Sequence, residues 1–94
     1  MSRGPLQDFS GDITAGNTAQ QVLAANGSRN YLLFINVSSA DMWIDFDADA
    51  VIGQPSIKIV SGGSYEMNEP GFVPTDAVSV ISATAGVEFT CKQG

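Results

Sequence analysis

Three aspartates at alternate positions, Asp45, Asp47 and Asp49, are the closest this chain comes to a ligand set. Hard cations such as calcium take oxygen ligands, and carboxylates at this spacing open a calcium loop. A loop of the EF-hand type also needs Gly at its sixth position and Glu at its twelfth. Those positions hold Ala50 and Ser56. The series therefore reads as a solvated face running off the end of a strand. No metal ion and no other cofactor is expected.

Nucleophilic catalysis needs an activated nucleophile and a base. Serines are plentiful, but the chain has no His. Ser56 and Lys58 share one strand face, and a Ser–Lys dyad is the remaining arrangement. Nothing nearby in sequence would complete it. No Gly-rich phosphate loop precedes a helix, since Gly62 and Gly63 alone make a turn. Catalytic residues are expected to be absent, and the protein is read as not an enzyme. The single cysteine, Cys91, shares a face with Val87 and Phe89. No cation lies near it in sequence to lower its pKa, so it reads as a packing residue and not a reactive thiol. A lone cysteine also forms no disulfide within the chain, which suits a reducing compartment.

The elements that would hold these residues are short β-strands. Residues 31–37, 42–46, 56–60, 77–81 and 87–91 alternate apolar and polar residues between clusters of Gly, Asn, Asp, Ser and Pro. Short strands at that spacing indicate an all-β sandwich or barrel. Residues 12–14, 19–24 and 64–67 add shorter ones. The fold expected is a single compact antiparallel β-sandwich, or a jelly-roll-like barrel, of about seven or eight strands with no major helix. Residues 38–41, 61–64 and 84–86 read as turns, the latter two as hairpins. Residues 68–76 read as an irregular loop. Both faces of the 31–37 strand are largely apolar, so one is expected in the core and the other covered as well.

Ninety-four residues make one domain. Residues 1–11 read as a flexible N-terminal arm and 12–94 as the sandwich. In the arm only Leu6 and Phe9 are large and apolar, so docking would use them, on the arm's own domain or on a neighbour. Ten Asp or Glu stand against four Lys or Arg, a net charge of −6. The cations are scattered, which disfavours nucleic acid, because phosphate contacts need clustered Lys and Arg. No apolar run is long enough to cross a bilayer as a helix, and no membrane partner is expected.

Three stretches in order carry a resemblance. They are residues 28–38 (SRNYLLFINVS) with 42–46 (MWIDF), residues 56–67 (SIKIVSGGSYEM), and residues 73–86 (VPTDAVSVISATAG) leading into VEFTC. Together they resemble small β-sandwich virion proteins of tailed bacteriophages, which decorate (cement) capsids or form fibre bases. This chain departs from that pattern with Asp47 and Asp49, where small residues are the rule. The resemblance implies no catalytic residue. It implies a non-enzymatic structural protein, made in the bacterial host cytoplasm and placed on the capsid exterior of the virion. There it would bind the major capsid protein and itself, as a homotrimer ahead of a dimer. The alternative is a carbohydrate- or receptor-binding module of a head or tail fibre, with Trp43 and the loop at 68–75 as platform. The interface candidates are Leu6, Phe9, Tyr31, Leu33, Phe34 and Trp43.

Overall fold

The computed structural model describes residues 6–69 and 73–94; the first five residues of the arm and positions 70–72 of the 68–76 loop lie outside them. The described residues form nine strands and no helix. In chain order these are β1 (Gln7–Asp8), β2 (Gly11–Asp12), β3 (Gln20–Leu23), β4 (Leu32–Asn36), β5 (Met42–Phe46), β6 (Ile57–Ile59), β7 (Ser64–Met67), β8 (Val78–Ile81) and β9 (Glu88–Gln93). They build two antiparallel sheets that enclose one core. The first runs β1-β9-β4-β7, with β2 also on β9; the second runs β3-β8-β5-β6. The fold is a β-sandwich.

Alternation places the core. Leu32 and Phe34 of β4, Met42 and Ile44 of β5, Val78 and Val80 of β8, and Phe89 and Cys91 of β9 all point between the sheets and are buried. Phe34 stacks on Phe89 with ring centroids 5.2 Å apart. Phe46 of the second sheet meets Tyr65 of the first at 5.7 Å. That pair spans the gap between the layers at the β7 edge.

From β3 onward strand positions follow the sequence reading, whereas β1 and β2 fall where an arm and a strand at 12–14 were expected, and strand partners do not follow it. Of the seven connections between β2 and β9, only β5–β6 stays within one sheet; the other six cross to the opposite one. The turns at 61–64 and 84–86 are therefore corners between layers and not hairpins. A turn sequence reverses the chain, but it does not decide whether the next strand pairs with the last one or faces it. Gly62 makes the first corner in the left-handed region at φ 77°, where a side chain is unfavourable.

The second sheet, and not β4, holds the strand covered on both faces. All four residues of β8 are buried. Its outward Ser79 lies under the β5–β6 loop: the Ser79 hydroxyl accepts from the Ala50 N–H and donates to the Ala48 carbonyl, both at 2.7 Å. The outward face of β4 is only half-buried. Leu33 sits between Glu66 and Lys92 there, and Ile35 between Ser64 and Thr90.

Two buried polar side chains fasten the ends of β4 to the opposite sheet. Just before it, Arg29 is 3% exposed. Its guanidinium donates to Gln93 Oε1 at 2.7 Å and to the carbonyls of Pro74 (2.7 Å), Asp76 (2.9 Å) and Ala24 (2.9 Å). It thus joins β9 to the end of β3 and the approach to β8. At the other end Asn36 is fully buried. Its amide donates to the Ala40 and Ile59 carbonyls, and its Oδ1 accepts from the Ser38 N–H and hydroxyl. The Asn36 backbone exchanges bonds with the β6–β7 corner at Gly62 and Gly63. No buried side-chain nitrogen or oxygen among the described residues lacks a partner.

The expected arm is part of the first sheet from Gln7 onward. Gln7 and Asp8 lie opposite Gln93 and Lys92; Gly11 and Asp12 lie opposite Phe89 and Glu88. Leu6 and Phe9 do not dock it, being 44% and 39% exposed. Backbone pairing and polar side chains do. The Phe9 N–H donates to the Cys91 carbonyl at 2.7 Å, the Cys91 N–H to the Ser10 hydroxyl at 3.1 Å, and Gln93 Nε2 to Gln7 Oε1 at 3.1 Å.

Replacing Arg29 by Met strands several buried carbonyls, and each unsatisfied buried group is worth about 1–3 kcal/mol. Arg29→Met should therefore lower the urea-derived unfolding free energy by about 3 kcal/mol or more. Arg29→Lys should restore little of it, because a single ammonium does not reproduce a planar fork. Urea titrations of the three proteins, with recovery by Lys as the adverse result, check this.

Candidate functional site

The six interface candidates do not form one surface. Phe34 is a correction to the sequence reading: it is 0% exposed in the middle of the core, so no partner can reach it. Its apolar strand offered two plausible inner faces, and the structure selects the one bearing Phe34. Tyr31 and Leu33 come together on the outer face of the first sheet, half-buried. The Tyr31 hydroxyl donates to Glu66 Oε2 at 2.6 Å, and Leu33 lies opposite Glu66 in the ladder. Leu6 and Phe9 lie on the strap beside β9. Trp43 is on the outer face of the other sheet, because its neighbours Met42 and Ile44 point inward.

Around Trp43 the geometry is specific. Lys58 lies opposite it in the β5–β6 ladder, and its Nζ stands 5.8 Å from the centre of the indole ring. The same ammonium pairs with Asp41 at 3.5 Å. A cation over an indole face is attracted by the ring quadrupole, by about 0.5–1 kcal/mol at exposed sites. Trp43 is thereby held as a flat apolar plate flanked by opposite charges. Ser56, the imagined dyad partner of Lys58, instead donates to Asp45 Oδ2 at 3.2 Å and accepts from the Val51 N–H at 2.9 Å. The alternative platform is divided as well. Trp43 pairs with Ile81 at one end of β8, whereas the 68–75 loop feeds the other end at Val78.

The aspartate series is turn chemistry. Asp45 accepts from the Phe46 N–H at 2.8 Å. Asp47 turns the chain in the left-handed region at φ 62°, which Asp tolerates through its short polar side chain. The alternation stops there, so the three carboxylates share no face. Among the described residues no group of three His, Cys, Asp or Glu is placed to hold a metal ion. Asp47 and Asp49 rim an open hollow of about 220 Å³ with Gln21, Ala48, Ala77, Val78 and Ser79.

Charge on the surface is one-sided. Of the cations described, Arg29 is buried, Lys58 pairs with Asp41, and Lys92 pairs with Asp8 at 3.6 Å. Asp12, Asp47, Asp49, Asp76 and Glu88 remain exposed. Within the described residues no helix is long and apolar enough to cross a membrane.

Cys91 is buried in the core, as its strand face requires. Burial pushes its thiol up to about 12, against the opposing pull of the Arg29 charge. The residues that sequence reasoning missed are Arg29 and Asn36, which position the strands carrying both outer faces. A lone Arg after Asn26, Gly27 and Ser28 counts in sequence only as one of the scattered cations, and no sequence signal marks it as buried. Comparison of the chain with family models, with curated proteins and with solved structures gives no match.

Two outcomes follow. Phe34→Ala should destabilise the fold by about 3–5 kcal/mol, the range for a buried aromatic. Leu33→Ser should change it by about 1 kcal/mol; comparable losses in chemical denaturation would put both residues in the core. For Cys91, the folded pKa of about 12 lies above the ordinary 9.0. Below pH 9 both states keep the proton. Between 9 and 12 only the folded state keeps it, so stability falls as pH rises, by up to about 1.4 kcal/mol per unit. Cys91→Ala should lose this part of the alkaline slope. Parallel slopes for the two proteins would contradict it.

Proposed function

We propose that this protein is a non-enzymatic structural component of a bacteriophage particle, a capsid decoration protein that binds the shell exterior. One observation carries the reading. Among the half-buried side chains outside the core, Tyr31 and Leu33 lie on the outer face of one sheet and Trp43 on the outer face of the other. A cementing subunit needs two surfaces, one for the capsid protein and one for a neighbouring subunit. In a homo-oligomer, a trimer ahead of a dimer, a modest contact repeated by symmetry becomes avidity. The resemblance of residues 28–38 with 42–46, 56–67 and 73–91 to small β-sandwich virion proteins of tailed bacteriophages, which decorate capsids or form fibre bases, supports the same reading. The exposed carboxylates suit an exterior position better than one facing packaged DNA.

A second reading, a carbohydrate-binding module of a fibre, has Trp43 in its favour. An indole plate flanked by Lys58 and Asp41 can stack a sugar ring and hydrogen-bond its hydroxyls once the lysine moves aside. A glycan array with Trp43→Ala as control separates the two.

The test of the leading reading is co-sedimentation with undecorated empty capsids of the phage whose genome encodes the chain. Binding is expected at micromolar concentration, together with a raised temperature of capsid disruption. Leu33→Asp and Trp43→Ala, on opposite faces, should each weaken it at least tenfold. Intact, folded protein that stays in the supernatant would overturn the proposal.

A further inference from the structure

The strap formed by β1 and β2 is attached to the rest of the domain in an unusual way. Both strands pair with β9 alone. Every residue from Leu6 to Asp12 is exposed. The strap therefore contributes side chains to no part of the core. On its other side β9 is held by β4 through five consecutive residue pairs. Withdrawing the strap would leave β9 in place with a bare row of backbone groups, which is a template for another strand.

The anchor of the strap is sharply defined. Ile13 is 1% exposed. Its N–H donates to the Val87 carbonyl at 2.9 Å, and its own carbonyl accepts from the Gly86 N–H at 2.7 Å. Two residues earlier stands Gly11, which has no side chain to resist a change of direction. Between them Asp12 lies directly opposite Glu88, with both carboxylates exposed. Like charges opposed in a ladder weaken the pairing. In the closed position Leu6 and Phe9 also leave apolar surface in water. Fully extended, the seven residues 6–12 span about 23 Å, enough to reach an adjoining molecule.

We propose that the β9 edge is a strand-acceptor site whose second occupant is the strap of another copy of this chain. An exchanged strap brings the same groups in the same order. Its Phe9 N–H meets the Cys91 carbonyl, its Ser10 hydroxyl meets the Cys91 N–H, its Gln7 meets Gln93, and its Asp8 meets Lys92. Exchange of an identical element is a low-cost route to association for that reason. It draws further support from Leu6 and Phe9, which the junction between two molecules can cover. Closed and exchanged forms differ in molecularity, so concentration shifts the balance. This inference stands independently of the phage reading.

The native chain carries its own probe. Lys92 Nζ and Asp8 Oδ1 are 3.6 Å apart, so a zero-length carbodiimide joins them only when a strap lies on a β9 edge. The pair Lys58 and Asp41, at 3.5 Å within the second sheet, serves as the internal control. Unlabelled and nitrogen-15-labelled protein are unfolded together in urea, refolded over a range of concentrations, cross-linked and digested. Exchange predicts Asp8–Lys92 peptide pairs that mix the two isotopes, in a share that rises with concentration to several times that of the Lys58–Asp41 pairs. Equal shares for the two pairs at every concentration would overturn the proposal. A second, targeted measurement mixes Asp8→Cys and Lys92→Cys chains, each also carrying Cys91→Ala. Asp8 and Lys92 are opposed next to the hydrogen-bonded Phe9–Cys91 pair, at a non-hydrogen-bonded position, where Cα atoms lie about 4.5 Å apart, within disulfide reach. A disulfide between the two chains is expected on oxidation. Its absence from the folded mixture would count against exchange in the same way.

Discussion

The structure turns on one buried guanidinium. Arg29 sits where β4, β9, the end of β3 and the approach to β8 converge, and it has no carboxylate in its hydrogen-bonding shell. Three backbone carbonyls and one side-chain amide take its charge-assisted donors instead. Hydrogen bonds to a charged group are worth about 1.5–3 kcal/mol each, but desolvation offsets part of that, and burial lowers the pKa of the group. What the arrangement supplies beyond net stability is direction. A planar fork accepts those four partners only if both sheets approach at one distance and one angle. The strands then need no disulfide to settle their alignment at this end. Asn36 fulfils the equivalent requirement at the other end of β4, with an amide in place of a charge.

Between these two residues the core is ordinary and was legible. Strands at 31–37, 42–46, 56–60 and 64–67 follow from alternation, and the structure places β4, β5, β6 and β7 there. The buried face of β4 was harder to assign. Residues 31, 33, 35 and 37 are all apolar, while the face that is buried carries Asn36. A polar residue ordinarily marks the wet side of a strand, but here its hydrogen bonds to Ala40, Ile59 and Ser38 are what permit burial. The same logic hid Arg29. Polar residues that close a sandwich look, in sequence, like polar residues that face water, because the partners that satisfy them come from distant segments.

The candidate surfaces were legible in part. Trp43 was separated from the core by the parity of β5, and that parity holds. Whether the candidate residues form one surface or several depends on which sheet each strand joins, and turn sequences carry no such information. The corner at 61–64 illustrates this. Its glycines announce a reversal, yet β6 and β7 end in different layers, so Trp43 and Leu33 face away from each other. Asp45, Asp47 and Asp49 show the converse case. Their spacing suggested a shared face, and the left-handed backbone at Asp47 removed it.

Connections that cross between layers also govern how the chain can reach this state. Neighbours in sequence seldom become neighbours in a ladder. Gln7 meets Gln93, 86 residues away, and Arg29 reaches Gln93 across 64. Each such contact closes a large loop before any local pairing rewards it. Folding is therefore expected on the millisecond-to-second timescale of non-local β topologies, with little structure forming early. The strap can settle only after β9 has found β4. Until then the β9 edge is open in every molecule, and the choice between a chain's own strap and a neighbour's is made in the crowd of refolding chains.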